Sequence, residues 1–130
     1  MKTRNFKKLS TFVAFTILSV ATISTTTFAS SQLIESEEGI GVEVQCPNSN
    51  ARGDIEDNYT TVSGGTLWTT WRNGVTFRAN YYHASKKHRC TAQNGDGATS
   101  RSVWVGSKGT AHSEFIPQTL IHNRCFAATE

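Results

Sequence analysis

The chain has 130 residues, of which 37% are hydrophobic and 18% are charged, with ten glycines, two prolines and three cysteines. This length predicts one domain, and the composition excludes disordered low-complexity chains and collagen-like chains. The formal net charge of +3 suggests a nucleic-acid ligand until the charges are assigned to their segments.

The N-terminus has the three-part layout of a secretory signal peptide. Four basic residues precede an apolar stretch over residues 12–20, and a Ser/Thr-rich segment then leads to the small residue Ala29. The apolar stretch is too short, and too interrupted by Thr and Ser, for a stable membrane span, so we predict export without a membrane anchor. Cleavage after Ala29 releases a secreted chain that begins at Ser30.

Removing residues 1–29 reverses the sign of the net charge. Four of the 13 basic residues and none of the ten acidic residues lie in this segment, so nine basic residues face ten acidic ones and nucleic acid is not a predicted partner. Seven of the acids lie in residues 30–57 among turn-forming residues, and only residues 40–44 alternate like a strand. We therefore predict a flexible, loop-rich acidic leader over residues 30–61.

Residues 62–130 are predicted to form a small antiparallel β-sandwich. Runs rich in Thr, Val, Trp, Tyr and Phe recur between glycines, and no stretch after Ala29 has the 3.6-residue apolar period and caps of a helix. The clearest hairpin is Arg72-Asn73-Gly74-Val75, because Asn-Gly adopts the positive φ angles of tight turns. The predicted strands are residues 59–62, 66–71, 75–82, 89–93, 102–105, 111–116 and 119–126.

Side chains two apart on the 75–82 strand share a face. The face predicted to be buried is formed by Phe77, Ala79 and Tyr81. The opposite face is formed by Arg78, Asn80 and Tyr82. Together with the basic residues that follow, this second face suits an anionic or glycan-bearing ligand, because Arg and Lys bind phosphate and an aromatic ring packs on a sugar. The basic residues are Lys86, Lys87 and Arg89.

Two histidines, His83 and His88, are the most conspicuous chemical pair. A zinc ion would need a third and usually a fourth ligand, which His112, His122 or a cysteine could supply. No C-x-x-C or H-E-x-x-H spacing is present, so backbone-bonded histidines are favoured and no metal or cofactor is predicted. A nucleophile and base could be formed by Ser85 with His88, or by Cys90 with His83 and Asp96. Such common residues close in sequence are weak evidence for catalysis without a defined geometry. No G-x-S-x-G elbow exists, and we predict that the protein is not an enzyme.

Three cysteines in an exported chain predict one disulfide and one remaining thiol. Loop-closure entropy does not separate the three pairings, because loop length enters only as a logarithm. We favour a Cys90–Cys125 disulfide, since both residues lie in β-rich segments. Cys46 is then either free or links two copies of the chain into a homodimer.

Three segments carry a resemblance to a known family. The first runs from Ala79 to His88, followed by Thr91-Ala92, and in it an Asn-Tyr step precedes two histidines that flank a Ser-Lys loop. The second is Thr70-Trp71-Arg72-Asn73-Gly74-Val75, and the third is Ser102-Val103-Trp104. Over about residues 62–115 the chain resembles the lactococcin 972 bacteriocin family.

This resemblance implies a protein that bacteria secrete through a signal peptide and that folds as a small β-sandwich. It also implies a non-enzymatic antibacterial protein directed at cell-wall assembly, with the anionic precursor lipid II as its target. The alternative is an extracellular binding or adhesion module that shares the fold without killing. The residues predicted to bind the ligand are Arg78, Tyr82, His83, Ser85, Lys86, Lys87, His88 and Arg89.

Overall fold

Ten β-strands and no helix make up residues 32–130, the part of the chain that this computed structural model describes. The strands are β1 (Ile34–Ser36), β2 (Gly39–Val44), β3 (Asp54–Val62), β4 (Gly65–Arg72), β5 (Thr76–Tyr82), β6 (His88–Gln93), β7 (Thr99–Arg101), β8 (Thr110–His112), β9 (Ile116–Pro117) and β10 (Asn123–Thr129). The predicted all-β class is confirmed. The predicted signal peptide and its cleavage after Ala29 lie outside the described residues.

The strands form two antiparallel sheets. The first sheet has the order β1-β2-β10-β6-β7, and the second has the order β3-β4-β5-β8, with β9 also paired to β5. Buried apolar side chains from both sheets belong to one hydrophobic cluster. Two sheets that share one core are consistent with the predicted β-sandwich.

The core comes from alternate positions on the central strands, as the two-residue period of a strand requires. On β4 and β5 the fully buried apolar side chains are Leu67, Trp71, Phe77, Ala79 and Tyr81. The predicted core face of the 75–82 strand is therefore confirmed, and Arg78 and Tyr82 lie on the outer face. Burying one large apolar side chain contributes about 1.5–3 kcal/mol.

Two hairpins of the second sheet close through residues with positive φ. Asn73 and Gly74 have φ angles of 55° and 65°, and the Val75 amide donates to the Arg72 carbonyl at 3.0 Å. Positive φ at both central positions matches the right-handed twist of the flanking strands, which confirms the predicted Asn-Gly hairpin. The turn between β3 and β4 uses Ser63 and Gly64 in the same way, with φ angles of 51° and 85°.

The segment predicted to be a flexible acidic leader belongs to the two sheets. Strand β2 lies between β1 and β10 with Val42 and Val44 buried, and β3 pairs with β4 along most of its length. The acids of β3 at positions 54 and 56 are exposed on an edge strand, where charge discourages pairing with other chains. Residues 32–61 are therefore part of the β-sheet domain. This corrects the predicted loop-rich leader over residues 30–61, as far as it is described, and the predicted domain start at residue 62.

The later strands are shorter than predicted. Strand β7 precedes the predicted 102–105 strand, of which only Val105 makes a bridge, to His88. The predicted 111–116 strand is divided into β8 and β9, which pair with different ends of β5. The predicted 119–126 strand begins only at residue 123, because residues 118–122 form a loop.

All three cysteines are free thiols, which corrects the predicted Cys90–Cys125 disulfide. In the β6–β10 ladder, Cys125 is opposite Ala92 and Cys90 is opposite Ala127, so the two cysteines are diagonal neighbours. Diagonal positions are about 7–8 Å apart, which exceeds the usual Cα spacing of a disulfide. Each thiol has another partner: Cys90 Sγ donates to the Ala79 carbonyl at 3.2 Å, and Cys125 Sγ lies 3.3 Å from Thr69 Oγ1.

Candidate functional site

The eight residues predicted to bind a ligand are distributed over three surfaces. Arg78 and Tyr82 lie on the outer face of the second sheet, whereas Arg89 lies on the outer face of the first sheet, since Cys90 and Ala92 next to it face the core. The other five residues are in or next to the β5–β6 loop, residues 83–87. Arg78 and Arg89 are therefore on opposite sides of the molecule, which corrects the single basic surface expected from their proximity in sequence.

The buried side chain of His83 holds the β5–β6 loop in place through hydrogen bonds. Its side chain is 5% exposed, and its Nδ1 accepts hydrogen bonds from the backbone amides of Ser85 at 3.1 Å and Lys86 at 3.0 Å. Because Nδ1 is the acceptor, Nε2 carries the proton and donates to the Ser63 carbonyl at 3.0 Å. The ring thus joins the loop to the turn between β3 and β4.

His88 fastens the same loop at its other end. The side chain is fully buried, and Nδ1 and Nε2 each lie 2.7 Å from a carbonyl oxygen, of Lys86 and Gly109 respectively. A carbonyl only accepts, so both bonds form together only when both ring nitrogens carry protons. His88 thereby joins the β5–β6 loop to residues 102–109, the β7–β8 loop.

Further backbone bonds complete this end of the molecule. The Lys108 amide donates to the His83 carbonyl at 2.8 Å, and the Glu130 amide donates to the Lys87 carbonyl at 2.9 Å. Three exposed lysines lie on the two fastened loops, and we call them the lysine end: Lys86, Lys87 and Lys108. Lys87 Nζ is 3.6 Å from the Glu130 carboxylate, whereas the other two lysines have no ion pair within residues 32–130.

A second surface is the outer face of β3, β4, β5 and β8. Tyr59 and Trp68 stack there with ring centroids 5.7 Å apart and planes 14° apart. Next to them, the Asn80 side chain donates from Nδ2 to Thr70 Oγ1 at 2.8 Å, and its Oδ1 accepts from His112 Nδ1 at 2.6 Å. Burial, with a smaller contribution from the Arg78 charge, lowers the pKa of His112. His112 is therefore neutral at pH 7, with Nε2 as an acceptor.

Sequence reasoning placed Arg78, Asn80 and Tyr82 on one face but missed four other members of this surface. They are Glu56, Tyr59, Trp68 and His112. Two of them lie in the segment predicted to be a leader, and His112 is 32 residues from its partner Asn80. The alternation of Trp68 with the buried Leu67 and Thr69 is the one local signal that could have revealed an outward-facing tryptophan.

Arg89 packs against an aromatic ring. Its guanidinium carbon lies 4.8 Å from the centroid of the Trp104 ring, on the outer face of the first sheet. On the same face, Glu38 accepts hydrogen bonds from Arg101 and from Thr91, and the Arg101 bond is the main reason that the pKa of Glu38 is lowered. On this face Arg101 is therefore paired with Glu38, whereas Arg89 packs against Trp104 and has no ion pair within residues 32–130.

The cysteine and histidines that the sequence suggested as nucleophile or base, Cys90, His83 and His88, are engaged or buried. Burial raises the pKa of Cys90 and of Cys125 to about 12, so neither thiol forms a thiolate at neutral pH. His88 directs both ring nitrogens at carbonyl oxygens and so has no free nitrogen for Ser85. Among residues 32–130 there is no group of three or more His, Cys, Asp or Glu side chains that could hold a metal ion.

No helix within residues 32–130 is long and apolar enough to cross a membrane. Comparison with protein-family models, with curated proteins and with solved structures gives no match to this chain.

Proposed function

We propose that the protein is a secreted, non-enzymatic antibacterial protein that interferes with cell-wall assembly by binding the anionic precursor lipid II. The observation that carries this proposal is the lysine end, three cationic side chains on two loops that buried His83 and His88 hold in place. The same two histidines and the Ser-Lys loop between them carry the resemblance to the lactococcin 972 family.

The chemistry of the lysine end suits a pyrophosphate. Lysine binds phosphate as a point charge, and a charge-assisted hydrogen bond contributes about 1.5–3 kcal/mol where water is excluded. Exposed pairs contribute less, about 0–1 kcal/mol, so affinity depends on several lysines acting together. Loops that are already ordered lose little conformational entropy on binding, which favours the bound state.

A non-enzymatic role is supported by the state of the reactive groups. Both ring nitrogens of His88 face carbonyl oxygens at 2.7 Å, so neither is directed at Ser85, and His83 uses its acceptor nitrogen on backbone amides. The raised pKa of the buried Cys90 thiol also argues against a cysteine nucleophile. Binding without bond cleavage is the function that these side chains support best.

The test measures binding of residues 30–130 to lipid II in vesicles, for the wild type and the double variant Lys86→Ala/Lys108→Ala. We expect the affinity to fall tenfold or more, which corresponds to about 1.4 kcal/mol. The control is Arg52→Ala, an exposed cation in the loop before β3, near the opposite end of the β3–β4 hairpin from its Ser63-Gly64 turn. Unchanged affinity in a folded double variant, or an equal loss per charge in the control, contradicts binding at the lysine end.

The antibacterial part of the proposal is tested separately by growth inhibition of a panel of Gram-positive strains. We expect inhibition at micromolar concentration, weaker for the double variant, with no hydrolysis of wall material. Inactivity across the panel, with lipid II binding retained, would favour the adhesion module instead.

A further inference from the structure

We propose that the outer face of the second sheet is a binding site for an acidic oligosaccharide, separate from the lysine end. We call this surface the aromatic face and define it by Glu56, Tyr59, Trp68, Arg78, Asn80, Tyr82 and His112. A sugar presents axial C–H groups on one side and hydroxyl groups around its rim. A site for it needs aromatic rings with fixed orientation and hydrogen-bonding groups beside them.

The aromatic rings have a fixed orientation. Glu56 Oε1 accepts one hydrogen bond from Trp68 Nε1 at 3.1 Å and a longer one from the Tyr59 hydroxyl at 3.4 Å. One carboxylate therefore holds the edges of both stacked rings, although Tyr59 is 60% exposed. The faces of such rings carry negative charge density, which attracts the weakly positive C–H groups of a sugar.

Hydrogen-bonding groups lie directly beside Trp68. In the sheet register Trp68 is opposite Asn80, and Asn80 is opposite His112, so the three form one row across three strands. The Asn80 amide fixes the proton of His112 on Nδ1, which leaves Nε2 as an acceptor for a sugar hydroxyl. The second carboxylate oxygen of Glu56 has no hydrogen-bond partner within residues 32–130 and is another acceptor.

An unpaired cation defines the charge of the ligand. Arg72 and Arg78 both lie over the Phe115 ring, with guanidinium carbons 3.9 Å and 4.9 Å from its centroid. Arg72 is neutralised by Asp54 through two hydrogen bonds, whereas Arg78 has no ion pair within the described part of the chain. Arg78 is two residues from Asn80 on the same face, about 7 Å away, a distance that one sugar ring spans. A carboxylate on the neighbouring sugar therefore suits Arg78.

The test titrates the wild-type protein with carboxylated tetrasaccharides, from hyaluronan, alginate and polygalacturonate, and with neutral chitotetraose. Binding is followed by tryptophan fluorescence and by NMR of the indole N–H groups. We expect at least one acidic tetrasaccharide to bind more tightly than chitotetraose and to shift the Trp68 signal. The absence of any Trp68-dependent change at millimolar concentration would overturn the proposal.

Variants separate stacking from charge recognition. Trp68→Ala should weaken binding tenfold or more and Trp68→Phe should weaken it less, whereas Trp104→Phe, on the opposite face, should leave affinity unchanged. Arg78→Gln should remove the preference for acidic over neutral oligosaccharides. Circular dichroism checks the fold of each variant, and Trp68→Phe keeps the test valid if the alanine variant does not fold. Equal losses for Trp104→Phe and Trp68→Phe would contradict the site.

The aromatic face and the lysine end can be tested independently. The double variant Lys86→Ala/Lys108→Ala should leave oligosaccharide affinity unchanged. A failure of the wild-type protein to bind lipid II would therefore not contradict oligosaccharide binding, and a failure to bind oligosaccharides would not contradict lipid II binding. Sedimentation over a hundredfold concentration range tests whether a second copy of the chain covers the face instead. A dimer that Trp68→Ala dissociates would overturn oligosaccharide binding at this surface.

Discussion

The replacement His88→Leu tests whether a buried histidine stabilises the loops that present the lysines. Leucine has a similar volume but no donor, so the carbonyl oxygens of Lys86 and Gly109 lose their ring partners at 2.7 Å. An unsatisfied buried acceptor costs about 1–3 kcal/mol, and a neutral imidazole donates to one of the two oxygens, so the replacement predicts a loss of about 1–3 kcal/mol. Against a total stability of about 5–15 kcal/mol for a domain, this loss is large.

Urea denaturation measures the loss, and two variants calibrate it. Tyr81→Phe removes one buried bond, from the tyrosine hydroxyl to the Val62 carbonyl at 2.6 Å, and should cost a similar amount. Val103→Ala, at a side chain 78% exposed, should cost almost nothing. Hydrogen exchange should also show faster exchange at the Lys108 amide in His88→Leu. A loss below about 1 kcal/mol, or unchanged exchange at the Lys108 amide, refutes the proposed role of His88.

Two further predictions concern the thiols and the N-terminal strands. In the native protein a thiol reagent at pH 8 should modify Cys46 but neither Cys90 nor Cys125, which are fully buried, and all three should react in denaturant. The folded state holds the protons of these two thiols up to about pH 12, above the unfolded value of about 8.5. The contribution of these two thiols to stability should therefore be constant below about pH 8 and fall as the pH rises toward 12, so the loss between pH 7 and pH 10.5 should be smaller in Cys90→Ala/Cys125→Ala; urea titrations at pH 7 and pH 10.5 that give equal wild-type stability would contradict this. A fragment of residues 58–130 should fail to fold, as judged by circular dichroism, because it lacks β1, β2 and the first half of β3; a folded fragment would restore the idea of a dispensable leader.

The sequence predicted the second sheet best where the information is local. Strand β5 alternates between apolar and polar residues over most of its length, and the Asn73-Gly74 turn that joins it to β4 requires positive φ, so neighbours in sequence determine both. Strand β3 was recognised only from residue 59, because its first half contains acids that usually indicate a solvated segment. Those acids occupy the exposed side of an edge strand, a position that only pairing with β4 reveals.

The candidate surfaces were harder to predict because they depend on which sheet each strand joins. Arg78 and Arg89 are eleven positions apart, yet β5 and β6 belong to different sheets, so outward side chains on them point in opposite directions. In the aromatic face, by contrast, residues far apart in sequence are in contact. Its hydrogen bonds join Trp68 to Glu56 across 12 residues and His112 to Asn80 across 32, and no local pattern contains such separations.

The crossing between sheets also explains why the two histidines are where they are. A loop that passes from β5 in one sheet to β6 in the other cannot satisfy its backbone groups by pairing with a neighbouring strand, and buried backbone groups without partners are costly. His83 accepts from two loop amides, and His88 approaches one loop carbonyl and one carbonyl of the β7–β8 loop. Their five-residue spacing therefore matches the length of the crossing and specifies the shape of the loop, and the lysines between and beside them are left to face solvent.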